Sequence, residues 1–265
     1  MSPVVEKLNP RKPSALSMKR DAQRGNKRGW TVAISEITLD EVRNDAVKFG
    51  LATKVLHQMN AGKEASIYLA NWKDFPLVLK AYRFWNSAQA KKSKGFFAPG
   101  RMQAIAAREY DLLLACFNAG MNVPTPVGRV GNYLTMRFIG DGAEPAPQLR
   151  NVQLEEPDLV LDEILDDYLI MYRDVNYVHG DLSAYNILWW QGRAWIIDMP
   201  QAYEVGPWAN MKRAASLLRR DIVNLLQYFK KYGIRRDPDE IVKVFLSEYV
   251  PHNLRNYEET VAGGS

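Results

Sequence analysis

"HGDLSAYNIL", residues 179–188, places a histidine, an aspartate and an asparagine in a short segment that ends in apolar residues. The three are His179, Asp181 and Asn186. In residues 161–175, just before this segment, apolar or aromatic residues recur at spacings of three and four, which predicts one face of a helix. One interpretation is an active-site loop that presents a carboxylate and an amide. The alternative is a turn whose side chains bond only to the backbone.

A further carboxylate extends this pattern downstream. Asp198 ends the apolar segment "RAWIID", which predicts a strand, and it lies 17 residues after Asp181. Phosphoryl transfer from ATP needs a cation on the phosphates, oxygen ligands for magnesium and a carboxylate that orients the nucleophile. An aspartate at a strand end is by itself most often a turn residue. Together with Asp181 and Asn186, in this order, it indicates a magnesium site for phosphoryl transfer.

Upstream, two charged residues lie in apolar surroundings. Lys80 ends the predicted strand "PLVLK", and Glu109 shares a predicted helical face with Ile105, Leu112 and Cys116. A charge on an apolar face needs a partner of opposite charge. A Lys80–Glu109 ion pair would satisfy both residues and would place the lysine amine to meet phosphates. The alternatives are a purely structural pair, or a lysine that extends into solvent.

Composition limits the class of protein. The chain has 265 residues, 47% hydrophobic content and a net charge of +5, which suffices for a sizeable core and permits an anionic partner. With Cys116 as the only cysteine, no disulfide framework is expected. No membrane span or signal peptide is predicted, so we expect a cytoplasmic protein with no membrane partner. Nothing in the sequence predicts an oligomeric state.

The organisation of the chain follows from local signals. Residues 1–30 are rich in Lys, Arg, Pro and Ser, which predicts a basic disordered tail. Thr38 and Glu41 have capping-box spacing and predict a helix that ends at Gly50. Strands are predicted in "EASIYLANW", "FPLVLKAYR" and "NYLTMRFIG", and helices in "RMQAIAAREYDLLLACFNAG", "MKRAASLLRRDIVNLLQYFKK" and "DPDEIVKVFLSEYV". The connector "GDGAEPAP" is expected to join an N-terminal lobe to a mainly helical remainder.

Four motifs together resemble those of the RIO family of atypical protein kinases, over about residues 38–235. "NAGKEASIY" resembles its nucleotide loop, "HGDLSAYNIL" its catalytic loop, "IIDMPQA" its metal-binding loop and "MRFIGDGAEPAPQLRNV" its hinge. The "PAP" run followed by Leu149 is closest to the first RIO subfamily. Two departures are Ala184, where the family usually has glutamate, and Pro200, where the first subfamily usually has serine.

This resemblance implies an α+β, bilobal, protein-kinase-like fold. An N-lobe with an antiparallel sheet and a leading helix would span residues 31–139. A mainly helical C-lobe would span 140–258, and a frayed end 259–265. The loop reads His-Gly-Asp, without the arginine that contacts a phosphorylated activation loop in ordinary protein kinases, and no A-P-E motif follows. An activation segment and peptide-docking subdomains are therefore not expected.

The resemblance also implies ATP and Mg²⁺ as cofactors and a role for each matching residue. Lys80 would bind the ATP phosphates, with Glu109 as its partner, and Asp181 would be the catalytic aspartate. Asn186 and Asp198 would hold magnesium, and Asp198 would also accept phosphate as an aspartyl-phosphate. The remaining nucleotide contacts would come from Gly62, Lys63 and Glu64 in the loop and from Met136, Arg137 and Ile139 along the adenine.

Three functions are compatible with these residues. The first is a RIO-type serine/threonine kinase or ATPase in small ribosomal subunit maturation, whose basic tail would bind the subunit precursor or its rRNA. The second is a small-molecule kinase of the aminoglycoside or choline type, since those enzymes share H-G-D-L-x-x-x-N. The third is a non-catalytic nucleotide-binding scaffold, which the intact Lys80, Asp181, Asn186 and Asp198 disfavour.

Overall fold

A computed structural model of the protein describes residues 33–34, 38–62, 65–82, 85–86 and 100–249. The predictions made for the basic tail, for Lys63 and Glu64, and for the C-terminal end lie outside these residues. The chain divides into two compact units. The first contains residues up to 110 together with 126–138, and the second contains 111–125 together with 139 onward. The lobe boundary expected near residue 139 stays a prediction.

The first unit is built on an antiparallel sheet of five strands. Its strands, together with one short additional pair, are β1 (Ala33–Ile34), β2 (Lys54–Ala61), β3 (Ala65–Trp72), β4 (Phe75–Tyr82), β5 (Trp85–Asn86), β6 (Pro126–Val130) and β7 (Tyr133–Arg137). The five-stranded sheet has the order β2-β3-β4-β7-β6, and β1 pairs separately with β5. The strands predicted at β3, β4 and β7 are confirmed.

Helix α1 (Leu39–Lys48) covers one face of this sheet. Thr38 and Glu41 form the predicted capping box, in which each side chain accepts a hydrogen bond from the other residue's backbone N–H. Val42 and Ala46 are fully buried and belong to one core cluster with residues of the sheet. The cap therefore fixes where the helix begins, and its apolar face fixes how it packs.

Strand β2 was not predicted from the sequence. It is an edge strand, and its register against β3 shifts twice, between Val55 and His57 and between Gln58 and Asn60. These irregularities interrupt the alternation of apolar and polar residues by which strands are recognised. The Arg43 guanidinium on α1 donates from Nε to the Val55 carbonyl (3.4 Å) and from Nη2 to the Leu56 carbonyl (3.3 Å) at the first shift.

Helix α2 (Gly100–Asn118) contributes residues to both units. It ends shortly before Gly120, whose φ is +89°, a left-handed conformation that favours glycine after a helix. The prediction of a helix that ends at Gly120 is confirmed.

The second unit is mainly helical, with short strand pairs. Its elements are β8 (Gly140–Asp141), β9 (Glu144–Pro145), a 3₁₀ turn (Leu149–Asn151), α3 (Pro157–Ile170), a π-helical turn (Met171–Val175), β10 (Tyr177–Val178), β11 (Ile187–Trp190), β12 (Arg193–Ile196), β13 (Tyr203–Glu204), α4 (Met211–Phe229), a second 3₁₀ turn (Lys230–Tyr232) and α5 (Pro238–Ser247). The strands pair as β8-β9, β10-β13 and β11-β12. The predicted α+β class, with an antiparallel sheet in the first unit and a mainly helical second unit, is confirmed.

Two predictions in this unit need correction in detail. The helix expected through Val175 ends as an α-helix at Ile170 and continues as a π-helical turn, which Asn176 closes at a φ of +63°. The strand expected to end at Asp198 ends at Ile196, so that the aspartate lies in the following turn. The helices predicted at α4 and α5 are confirmed, and the Asp237 side chain caps α5 by accepting from the Asp239 N–H.

The core of this unit lies between its helices. Tyr168 and Tyr172 are fully buried, and the rings of both make edge contacts with Phe245 on α5.

Across the described residues, no helix is both long enough and apolar enough to cross a bilayer.

Candidate active site

The predicted Lys80–Glu109 ion pair is confirmed in the first unit. Lys80 Nζ donates to Glu109 Oε1 at 2.7 Å, and the two residues are only 6% and 4% exposed. Lys80 lies on β4 and Glu109 on α2, so the pair joins the sheet to this helix. The Lys80 amine also lies 5.2 Å from the centroid of the Tyr82 ring. Burial restricts the amine to one position, which suits a group that binds a phosphate.

Gly62 lies in the tight connection between β2 and β3. Its N–H donates to the Ala65 carbonyl at 2.9 Å. A Cβ added at this position would lie 3.2 Å from the same oxygen, so little space is left for a side chain. Lys63 and Glu64 are outside the described residues.

The residues proposed to lie along the adenine are at the end of β7 and just beyond it. Met136 and Arg137 pair with Val78 and Leu77 of β4. The carbonyl of Ile139, which belongs to the second unit, accepts a hydrogen bond from the Ala146 N–H at 3.0 Å. The contact of these residues with adenine stays a prediction.

Asn186 and Asp181 are brought together in the second unit. Asn186 Nδ2 donates to the Asp181 carbonyl (2.8 Å) and lies 3.3 Å from Asp181 Oδ2. The Asn186 backbone N–H also bonds to the Ser183 carbonyl at 2.9 Å. The loop is therefore closed on itself, and the Asp181 side chain remains exposed.

Ile197, the residue before Asp198, forms a backbone hydrogen bond with the same loop. Strand β11, which follows Asn186, pairs with β12, and the Ile197 N–H donates to the Asn186 carbonyl at 2.9 Å. Asp198 comes next, at a φ of +67°, which is unusual for a residue other than glycine. The structure thus brings together the two segments that carry Asp181, Asn186 and Asp198.

The His179 side chain also contacts Ile197, through the carbonyl of that residue. Its Nε2 lies 3.2 Å from the Ile197 carbonyl, and because a carbonyl only accepts, Nε2 carries the proton. The side chain is fully buried, and burial lowers the pKa of the imidazole. His179 therefore supports the loop, and its burial favours the uncharged imidazole.

Asp221 on α4 is a functional candidate that the sequence analysis missed. Its fully buried carboxylate accepts hydrogen bonds from the Gly180 N–H (2.7 Å), the Leu182 N–H (3.2 Å) and the Tyr168 hydroxyl (2.7 Å). Burial raises the pKa of this carboxyl, while the bond from Tyr168 acts in the opposite direction. A signal was present: Asp221 lies on the apolar face of α4, three residues after Leu218. The reasoning applied to Glu109 would have found it.

The glycine of His-Gly-Asp has a steric explanation. Gly180 has a φ of +77°, and a Cβ at this position would lie 2.5 Å from the Gln201 carbonyl oxygen. Arg220 donates from Nη2 to the Gly180 carbonyl. No side chain fits at residue 180, so the arginine of ordinary protein kinases is sterically excluded at this position.

A second cluster that the sequence analysis missed supports β12. Asn122 donates from its backbone and side-chain nitrogens to Asp167 at 3.1–3.4 Å and from Nδ2 to Glu163 at 3.3 Å. Its carbonyl accepts from the Ile196 N–H at 2.9 Å. Burial raises the pKa of Asp167 to about 6. The cluster therefore joins α3 to the strand that leads to Asp198.

The donor set of the loop fits magnesium. Within the described residues, no group of three or more His, Cys, Asp and Glu side chains could form a metal site. Asp181, Asn186 and Asp198 instead offer two carboxylates and an amide. Magnesium prefers such hard oxygen ligands and keeps several waters, so it does not require a full protein cage. Because the Asn186 amide nitrogen is used toward Asp181, its oxygen is the atom suited to a cation.

Comparison with known proteins shows the family to which the chain belongs. The RIO domain model matches residues 67–241. The RIO-type serine/threonine-protein kinase Rio1 of Thermoplasma acidophilum is 40% identical over 134 residues, which are 51% of this chain and 68% of that protein. The human serine/threonine-protein kinase RIO1 is 30% identical over 202 residues, which are 70% of this chain but 35% of the human protein.

Solved structures show the same fold. The Rio2 kinase from Chaetomium thermophilum has a TM-score of 0.63 at 16% identity, over 88% of this chain and 78% of that one. An ADP/Mg²⁺-phosphoaspartate complex of the same kinase has a TM-score of 0.61 at 18% identity, over 88% of this chain and 76% of that one. Since the family match covers well over half of the sequence, the chain belongs to the RIO family of serine/threonine protein kinases.

Proposed function

We propose that this protein transfers the γ-phosphate of ATP, as a serine/threonine kinase, an ATPase or both, with Asp181 and Asp198 as its catalytic residues. The observation that carries the proposal is the hydrogen bond from the Ile197 N–H to the Asn186 carbonyl, because it joins the segment of Asp198 to the loop of Asp181. Family membership counts against a small-molecule kinase, and the intact charged residues count against a scaffold.

In the first unit, nucleotide binding is assigned to the buried pair and its neighbours. Glu109 holds the Lys80 amine, which binds the ATP phosphates as a fixed cation. Gly62 lets the backbone approach the phosphates, with Lys63 and Glu64 beside it in the sequence. Backbone groups of Met136 and Arg137 are assigned to the adenine as well, together with those of Ile139, which belongs to the second unit.

In the second unit, phosphoryl transfer is assigned to the closed loop. Asp181 orients the attacking hydroxyl or water and accepts its proton. Asn186 and Asp198 provide oxygen ligands for Mg²⁺. The ion, when bound, neutralises charge that develops on the phosphates. Asp221 acts through the backbone of Gly180 and Leu182 and so positions Asp181.

Asp198 is also the proposed phosphate acceptor during ATP hydrolysis. The phosphoaspartate complex of the Rio2 kinase motivates this step. A carboxylate oxygen of Asp198 would attack the γ-phosphorus, the bond to the β–γ bridging oxygen would break, and ADP would leave. Water would then cleave the acyl phosphate, releasing phosphate and restoring the carboxylate.

Labelled ATP tests these assignments directly. Asp181→Ala and Asp198→Ala should each abolish magnesium-dependent turnover, while Asp239→Ala, on the surface of α5, should keep it. Wild-type turnover in either loop variant would overturn the assignment. Acid-quenched wild-type protein should carry a hydroxylamine-sensitive label that the Asp198 variant lacks, and an unlabelled wild type would contradict the aspartyl-phosphate step.

The proposed partner is the small ribosomal subunit precursor or its rRNA, bound through residues 1–30. Lys and Arg side chains in this segment would displace counterions from phosphates, so binding should weaken as salt rises. Deleting residues 1–30 should reduce this salt-sensitive binding, and unchanged binding would remove the tail from the proposal. The proposed location is cytoplasmic, in line with the single cysteine.

A further inference from the structure

A cation–aromatic contact lies beside the proposed catalytic loop. The Arg150 guanidinium carbon is 4.3 Å from the centroid of the Tyr185 ring. Tyr185 directly precedes Asn186, and its side chain is 56% exposed. The guanidinium is therefore held on the solvent side of the loop that carries Asp181. We use the name acceptor-side cluster for Gln148, Arg150 and Tyr185.

The acceptor-side cluster is fixed by several hydrogen bonds. Arg150 Nε donates to Gln148 Oε1 at 2.8 Å, and Gln148 Nε2 donates to the Tyr185 carbonyl at 2.8 Å. The Arg150 backbone N–H donates to the Ala184 carbonyl at 3.1 Å. Gln148 also forms a β-bridge with Leu188. These bonds limit the rotation of an otherwise flexible side chain, so its charge has a defined position before any partner binds.

Arg150 differs from two other arginines of this unit, Arg219 and Arg236, in that they form ion pairs with carboxylates. Arg219 lies 2.7 Å from an Asp239 oxygen, and Arg236 lies 3.2 Å from one of Asp158. Among the described residues, no carboxylate forms an ion pair with the exposed Arg150, whose only side-chain hydrogen bond there is to the neutral amide of Gln148. Its terminal N–H groups remain for another anion. A planar guanidinium matches a carboxylate through two parallel hydrogen bonds.

We propose that Arg150, oriented by Tyr185, selects protein acceptors that carry aspartate or glutamate close to the phosphorylated serine or threonine. This inference rests on the proposed function, because it assigns the acceptor side of the same loop. Arg150 determines specificity and takes no part in ATP chemistry.

Two peptides with one serine each provide the test, one flanked by aspartates and the other by asparagines at the same positions. The wild type should transfer labelled phosphate to the aspartate peptide with a kcat/KM roughly tenfold higher, the size expected of one charge-assisted contact. In Arg150→Gln this ratio should fall towards one, mainly through KM. ATP hydrolysis without peptide should be unchanged.

Two control variants test whether Arg150 selects the acceptor peptide or only supports the structure of the loop. Arg219→Gln removes another exposed arginine of the same unit and should keep the preference. Tyr185→Phe keeps the ring under the guanidinium and should keep it as well. If Arg150→Gln slows both peptides equally and lowers the melting temperature, Arg150 only supports the loop and the inference is wrong.

The remaining outcomes distinguish this inference from the proposed function. If the wild type hydrolyses ATP but phosphorylates neither peptide, or if the preference survives Arg150→Gln, acceptor selection by Arg150 is overturned while the ATPase assignment stands. If the wild type does not turn over ATP at all, the proposed function itself fails.

Discussion

The Gly180 N–H donates to the Asp221 carboxylate at 2.7 Å, so a fully buried side chain of helix α4 holds the residue that precedes Asp181. The same carboxylate accepts from Leu182, on the other side of Asp181. The backbone of the proposed catalytic residue is thus fixed at both neighbours by one side chain.

Replacing Asp221 should therefore affect both stability and turnover. Asp221→Ala leaves two backbone N–H groups and the Tyr168 hydroxyl without their acceptor, which should lower the free energy of unfolding by about 3 kcal/mol. ATP turnover should fall at least tenfold in protein that is still folded, because Asp181 loses its position. Urea unfolding and labelled ATP hydrolysis measure the two effects. Full turnover in the folded variant would show that the loop keeps its shape without this carboxylate.

Gly180→Ala and Gly192→Ala form a matched pair. Both glycines have a positive φ, which costs a residue with a Cβ about 1–2 kcal/mol. Only Gly180 has a neighbour in the way, the Gln201 carbonyl at 2.5 Å, whereas a Cβ at Gly192 meets nothing within 4 Å. Gly192→Ala should lower stability by about that cost and keep turnover, while Gly180→Ala should lose turnover at least tenfold. Equal behaviour of the two variants would contradict the steric argument.

Asp167 should make a contribution to the free energy of unfolding that decreases as pH rises. Its folded-state pKa is raised to about 6, against about 4 in an unfolded chain, because the charged form is buried. As pH rises, the unfolded state therefore loses this proton at a lower pH than the folded state does. The associated stability is fully present below about pH 4 and is lost as pH rises through 6, by roughly 3 kcal/mol. Urea melts from pH 4 to 7 should show the wild type losing stability relative to Asp167→Asn, and a constant difference between them would contradict the prediction.

Lys80→Met should destabilise the first unit and stop ATP turnover. Removing one member of a buried ion pair breaks the 2.7 Å contact between Lys80 Nζ and Glu109 Oε1, which typically costs about 3–5 kcal/mol. The double variant Lys80→Met/Glu109→Leu should recover much of this stability, because no charge is then left buried. It should remain inactive, since the amine is absent. Turnover in the double variant would show that the pair is purely structural.

The sequence predicted most of the helices and strands because several signals were local. The Thr38–Glu41 cap, the glycine after α2 and the spacing around Asp237 each depend on a few neighbouring residues. The Lys80–Glu109 pair was predicted because both charges interrupt apolar faces. The Asp181, Asn186 and Asp198 assignments were made from motifs, and the structure brings their segments together without testing the chemistry.

What the sequence did not predict depends on contacts between distant segments. Asn122 and Asp167 meet across 45 positions, and Asp221 reaches Gly180 across 41, so no local pattern places them together. The exclusion of a side chain at Gly180 requires the position of Gln201. Strand β2 was missed because its register shifts disrupt the alternation of apolar residues.

Those shifts in β2 have a consequence for solubility. An exposed sheet edge is a template on which strands of other molecules can assemble, and irregular edges resist such assembly. Here Arg43 occupies the carbonyls of Val55 and Leu56. An incoming strand finds two acceptors already bonded and a positive charge beside them. The arginine that attaches α1 to the sheet thus also makes this edge a poorer template for another strand.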